Sequence, residues 1–145
     1  MKILIEEPHH NEEDQIIIKC RNLSPEVLRL LNVIKMQDGM LIAYTGSEIH
    51  RVSPTDVFYI ETVDNKTFLY VRDRVYESKQ KLYELEEQLS HGDFLRISKS
   101  VIANLSKIKS LTPALSGRLE ATLVNGEKVI ISRQYVAELK KRFGI

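Results

Sequence analysis

The chain has 145 residues, 43% of them apolar and 28% charged, and a formal net charge of +1. That usage suits one globular domain, or one domain with a short extension, and excludes a multidomain enzyme or a disordered chain. With one cysteine there is no intrachain disulfide, and a thiolate zinc site is disfavoured.

Residues 2–6 and 15–21 are short runs rich in β-branched residues and read as strands across a polar turn. Ser24, Pro25 and Glu26 then open a helix, with serine as cap, proline in the first turn and an acid against the positive end of the dipole. Val27, Leu28, Leu30, Leu31 and Ile34 recur at helical spacing and form its apolar face. Asp38-Gly39 ends it. From Met40 the texture changes to short strands separated by turn chemistry. The runs 41–44 and 48–52 flank Thr45-Gly46-Ser47, a hairpin signal. Strands follow over 57–63, 67–72 and 74–77. Ser78 is read as the cap of a helix that turns Leu82, Leu85 and Leu89 inward and Glu84, Glu86 and Glu87 outward. Strands at 94–97 and 101–103 are interrupted by Ser98-Lys99-Ser100, and another follows at 107–112. The runs 118–124 and 128–131 flank Asn125-Gly126, the strongest hairpin signal in the chain. Ser132 caps a last helix whose inner face is Val136, Leu139 and Phe143.

Catalytic and metal-binding constellations are not evident. His9, His10, His50 and His91 fall in no ligand spacing, and His9-His10 with Glu12, Glu13 and Asp14 reads as a solvated turn. Cys20 ends an apolar strand, with Lys19 and Arg21 on the other face, and reads as a buried, inert thiol. Glycines sit singly at turns, so there is no phosphate loop. No enzymatic activity, cofactor or metal is expected. No apolar run approaches the ~20 residues of a membrane helix and no signal-peptide pattern follows Met1, so a cytoplasmic location is expected.

Charge distribution is more informative than net charge. Residues 1–63 carry 6 Lys/Arg and 10 Asp/Glu, whereas residues 96–145 carry 10 basic residues against 3 acidic ones. A basic half suits a polyanionic partner, although a solvated surface that happens to be basic explains the same charges. Lys99, between two serines on a short loop, suits phosphate oxygens or base edges, although a plain exposed turn explains the same residues. Arg133 follows a helix cap, where the dipole disfavours a cation by some tenths of a kcal/mol. An anion bound there would remove that conflict, although a single exposed arginine at that position is also tolerated at little cost.

The stretch 56–145 resembles the LytTR family of bacterial DNA-binding domains. The resemblance rests on four linked pieces in order: residues 56–61, an acid, apolar residues and a glutamate; the helix 82–89; residues 94–104, where Phe94 and Arg96 precede the polar loop and an apolar run ends in Asn104, with Ile108 following; and residues 129–135. With 41–52 as an added hairpin it covers about 105 residues. It implies a mainly β fold, an elongated β-sandwich with short helices, here preceded by a small β-β-α extension. Residues 1–39 are read as that extension and 40–145 as the DNA-binding domain. It further implies a sequence-specific transcriptional regulator that reads successive major grooves of duplex DNA with loops. The competing reading is a protein–protein interaction module on the same fold without DNA affinity. By position the contacting residues are Asn65 and Lys66, then Ser98, Lys99 and Ser100, then Arg133. Most family members carry a receiver domain; about 40 residues precede this module, too few for one, so phosphorelay control within the chain is not expected. Resemblance to stand-alone members implies a separate regulatory partner, such as a small membrane protein, or homodimerisation through the extension.

Overall fold

The computed structural model describes residues 1–145, the side chains of residues 32, 33 and 35–38 excepted. Helix α1 (Pro25–Asp38) precedes strands β1 (Leu41–Thr45), β2 (Glu48–Val52), β3 (Val57–Val63), β4 (Lys66–Val71) and β5 (Val75–Ser78). Helix α2 (Leu82–Gln88) follows, then β6 (Phe94–Arg96), β7 (Val101–Asn104), β8 (Ile108–Pro113), β9 (Leu119–Leu123), β10 (Lys128–Ile131) and α3 (Arg133–Phe143). The fold is mainly β, as expected. Strands β2-β1-β5-β4-β3-β7-β6 form one antiparallel sheet and β10-β9-β8 a second.

The two-residue period of β7 builds two cores at once. Ile102 enters a cluster with Val57, Ile60, Leu69, Phe94, the β1–β2 hairpin residues Leu41, Ala43 and Val52, and α2 through Leu82, Leu85 and Leu89. Its neighbour Ala103 enters a second cluster with Ile97, Leu105, Leu119, Ala121, Ile131 and Leu139 of α3. The larger sheet thus carries α2 on one face and the smaller sheet with α3 on the other. A one-residue slip of β7 would exchange its contributions to both cores, so its register is strongly specified.

Asn104 locks β7 to β3. It is buried, its Nδ2 donates to the Val57 carbonyl at 2.8 Å, and its Oδ1 accepts from the Ser106 amide at 3.1 Å and hydroxyl at 2.7 Å.

Several expectations need correction. Residues 2–6 and 15–21 form no strands; Ile3, Leu4, Ile5, Ile16 and Ile17 are exposed. β propensity alone does not hold a two-strand unit without a further strand or a packed face. Cys20 is therefore exposed, not buried. The extension is helical only, through α1, where Val27 is buried while Leu28 and Leu30 are exposed. Ser24 does serve α1, its hydroxyl accepting from the Val27 amide at 3.3 Å. Ser78 does not cap α2: it ends β5, its Oγ accepting from the Gln80 amide at 3.1 Å. The cap position belongs to Lys81, whose amide donates to the Glu84 carboxylate at 3.1 Å. Phe143, expected on the inner face of α3, is 40% exposed.

Candidate nucleic-acid interface

The three predicted loops meet at one end of the molecule. β3 and β4 are joined by Asp64-Asn65, both with left-handed backbone, φ 50° and 63°. This two-residue geometry follows the right-handed twist of the strands, and Asp and Asn are among the few residues that accept it. Asn65 thus has a structural reason to be where it is. Lys66 is the first residue of β4 and is exposed.

Two main-chain hydrogen bonds tie this hairpin end to the other predicted residues. The Thr62 amide, near the end of β3, donates to the Ser100 carbonyl at 2.9 Å. The Ser132 amide, at the start of α3, donates to the Ile97 carbonyl at 2.8 Å. The Ser98-Lys99-Ser100 loop therefore lies between the β3–β4 hairpin and the α3 start.

Within that loop the roles divide. Ser98 is half-buried and its Oγ accepts from the Ser100 amide at 3.2 Å. Arg96 donates from Nε to the Ser98 carbonyl at 2.8 Å and from Nη2 to the Lys99 carbonyl, while its Nη1 lies 3.4 Å from Glu86. The loop backbone is thereby held from below, and Lys99 is exposed above it. Arg96 was legible only as part of the family-like segment; its half-buried charge signals a buried acceptor set, but the sequence does not say which carbonyls.

Arg133 is exposed at the first position of α3. Ser132 holds the cap position with extended backbone, but its hydroxyl makes no cap bond; its carbonyl accepts from the Tyr135 amide at 2.9 Å. The cation thus sits at the positive helix end without a side-chain cap to offset the dipole. Further along the helix, Lys140 and Lys141 are exposed, and Arg142 donates to the Gly92 carbonyl at 2.7 Å. Exposed cations around amide-tied loops can bond phosphate oxygens, and an arginine fork can bond both acceptors of a guanine edge.

Residues 47–144 match the family model of the LytTr DNA-binding domain. The chain belongs to the LytTR family. A solved LytTr DNA-binding domain from a Bacillus cereus chain, described as a methyl-accepting/DNA response regulator, superposes with a TM-score of 0.69 at 27% identity, covering 73% of this chain and 97% of that one. The sensory transduction protein LytT of Enterococcus faecalis is 31% identical over 97 residues, which is 67% of this chain and 40% of that protein. An HTH-type transcriptional regulator of Staphylococcus aureus strain RF122, itself uncharacterized, is 30% identical over 135 residues, 92% of this chain and 91% of that one. Despite that relative's description, no two helices of this LytTR chain are consecutive among its described elements.

Proposed function

We propose that this LytTR protein is a transcriptional regulator that binds duplex DNA sequence-specifically and reads it with loops, without catalysing a reaction. One observation carries the reading. Lys99, Arg133 and the Asn65-Lys66 hairpin, singled out by charge, helix polarity and family resemblance, are gathered at one end by the Thr62–Ser100 and Ser132–Ile97 hydrogen bonds. Arg133 and Lys99 are the base-reading candidates. Asn65 and Lys66 complete the surface, and Ser98 and Ser100 shape it.

We assign residues 40–145 to the DNA-binding domain and residues 1–39 to a regulatory extension. The family match begins only at residue 47, whereas the staphylococcal relative aligns over 135 residues and so reaches into the extension. A second copy of the chain is the partner this extension suits, with a small membrane-protein regulator as the other candidate. No described helix is long and apolar enough to cross a membrane, and a cytoplasmic site of action fits duplex DNA as the partner.

The test is fluorescence anisotropy against random duplex, and against duplex selected by the chain from a random pool, across a salt series. A DNA-binding regulator shows tighter binding to the selected duplex, and affinity that falls steeply with salt for both. Weak, salt-insensitive binding to both would return the chain to the protein-interaction reading.

A further inference from the structure

The loop 114–118 between β8 and β9 is a fourth segment at the same end, and the three-loop reading leaves it unused. Leu119 pairs in register with Pro113 of β8 and with Ile131 of β10, so this loop flanks the strand end that leads into Arg133. The approach is direct: a Cβ on Gly117 would stand 3.2 Å from Arg133 Cδ and 3.3 Å from its Cγ. The aliphatic stem of Arg133 therefore lies against Gly117, and any side chain there would have to push it aside by a few tenths of an ångström. Ser116 and Gly117 both have left-handed backbone, φ 62° and 75°. Serine is uncommon in that conformation, and such residues cluster at binding surfaces.

The turn carries Leu115 at 85% exposure, the most exposed leucine among the described residues, with exposed Arg118 closing the loop. Leu115 and Arg118 border a notch of about 350 Å³ whose one carboxylate, Glu120, lies 3.6 Å from Lys128 Nζ.

We infer that the 114–118 loop is a fourth DNA-contacting segment: Leu115 packs on a thymine methyl beside the base met by Arg133, and Arg118 bonds the adjoining phosphate. The inference rests on the DNA-binding reading above. Its chemistry is that of groove recognition, in which apolar side chains meet the thymine methyl and guanidinium groups meet backbone oxygens. Gly117 acts as a positioning residue, setting the direction in which Arg133 leaves the helix.

The experiment uses the full chain, with Leu115→Ser, Arg118→Ala and Arg133→Ala, titrated against wild-type-selected duplex and random duplex over a KCl series. Circular dichroism confirms that each variant is folded. Leu115→Ser is expected to weaken the selected duplex roughly fivefold, leave the random duplex unchanged and keep the salt slope. A fresh selection with this variant loses one thymine preference next to the base read by Arg133. Arg118→Ala weakens both duplexes and lowers the salt slope by about one. If wild type binds and Arg133→Ala is impaired while both loop variants match wild type, the fourth contact is refuted and the three-loop reading stands. If wild type itself shows no salt-dependent binding, the parent reading fails and the inference goes with it.

Discussion

Arg96 Nε donates to the Ser98 carbonyl at 2.8 Å, so a half-buried guanidinium fixes the backbone of the loop that presents Lys99. Its terminal nitrogens reach the Lys99 carbonyl and Glu86. A planar fork can serve two carbonyls and a carboxylate at once, and a lysine cannot. Arg96→Ala and Arg96→Lys are both expected to weaken DNA binding by about tenfold, through loop disorder and not lost contact. Amide hydrogen exchange at Ser98–Ser100 is the direct check. Faster exchange confined to that loop supports the positioning role, and unchanged exchange with unchanged affinity rejects it.

Asn104→Ala tests the lock between β7 and β3. Removing the side chain leaves the Val57 carbonyl without its donor, in a buried position where an unmade bond costs about 1–3 kcal/mol. Urea denaturation is expected to show a loss of about 2 kcal/mol with an unchanged slope. The folded variant keeps its DNA affinity, because Asn104 lies in the core and not among the loops. A neutral substitution would mean that the Val57 carbonyl finds another partner.

Tyr59 and Tyr70 stack with ring centroids 4.3 Å apart and planes 11° from parallel. Burial first, then the Glu127 carboxylate, pushes the Tyr59 phenol far above its ordinary value of 10.0. Burial and then Glu61 raise Tyr70 as well. The sign follows from proton binding. Above about pH 10 the unfolded chain sheds these protons while the folded chain keeps them, so stability is intact below about pH 10 and falls as pH rises further. Of the six tyrosines, Tyr59 and Tyr70 are expected to titrate late by tyrosinate absorbance. Tyr59→Phe flattens the alkaline loss of stability, and an identical alkaline profile in that variant would exclude Tyr59 as its source.

A fragment beginning at Met40 is expected to fold and to retain duplex binding, because α1 and the residues before it contribute none of the side chains proposed to face DNA. Both main clusters form without them. Sedimentation of the full chain and the fragment shows whether the extension also assembles copies. A folded fragment with no DNA affinity at low salt would place part of the interface in residues 1–39.

From Met40 onward the strands were legible because each is a short β-rich run closed by turn chemistry, and the Asn125-Gly126 hairpin emerges with Lys128 opposite Thr122. The N-terminal runs are also β-rich but find no third strand or packed face to hold them, so propensity misled there. Lys99 and Arg133 were legible as cations that break a local pattern. Gly117 was not: that it seats Arg133 is set by the β8–β9–β10 pairing, a long-range relationship that local periodicity does not encode. The role of Arg96 was hidden for a similar reason, since its acceptors are main-chain carbonyls that any residue would supply.

Arg133 and the lysines of the same helix are expected to differ in kind. Lys140 and Lys141 are exposed near its other end, about 11–12 Å along the axis from Arg133 at 1.5 Å of rise per residue. From there a phosphate is the reachable group, if the duplex extends that far. Arg133→Ala is expected to cost about 1–3 kcal/mol on the selected duplex and much less on random duplex, so specificity falls. Lys99→Ala behaves similarly where its ammonium enters the groove. Lys140→Ala or Lys141→Ala weakens all sequences equally, with a salt slope reduced by about one, or has no effect. None of these exposed changes alters stability by more than about half a kcal/mol. Titration of each variant against both duplexes over a salt series separates the cases. An equal loss on both duplexes for Arg133→Ala would make Arg133 a phosphate clamp, and no loss on either would remove it from the interface.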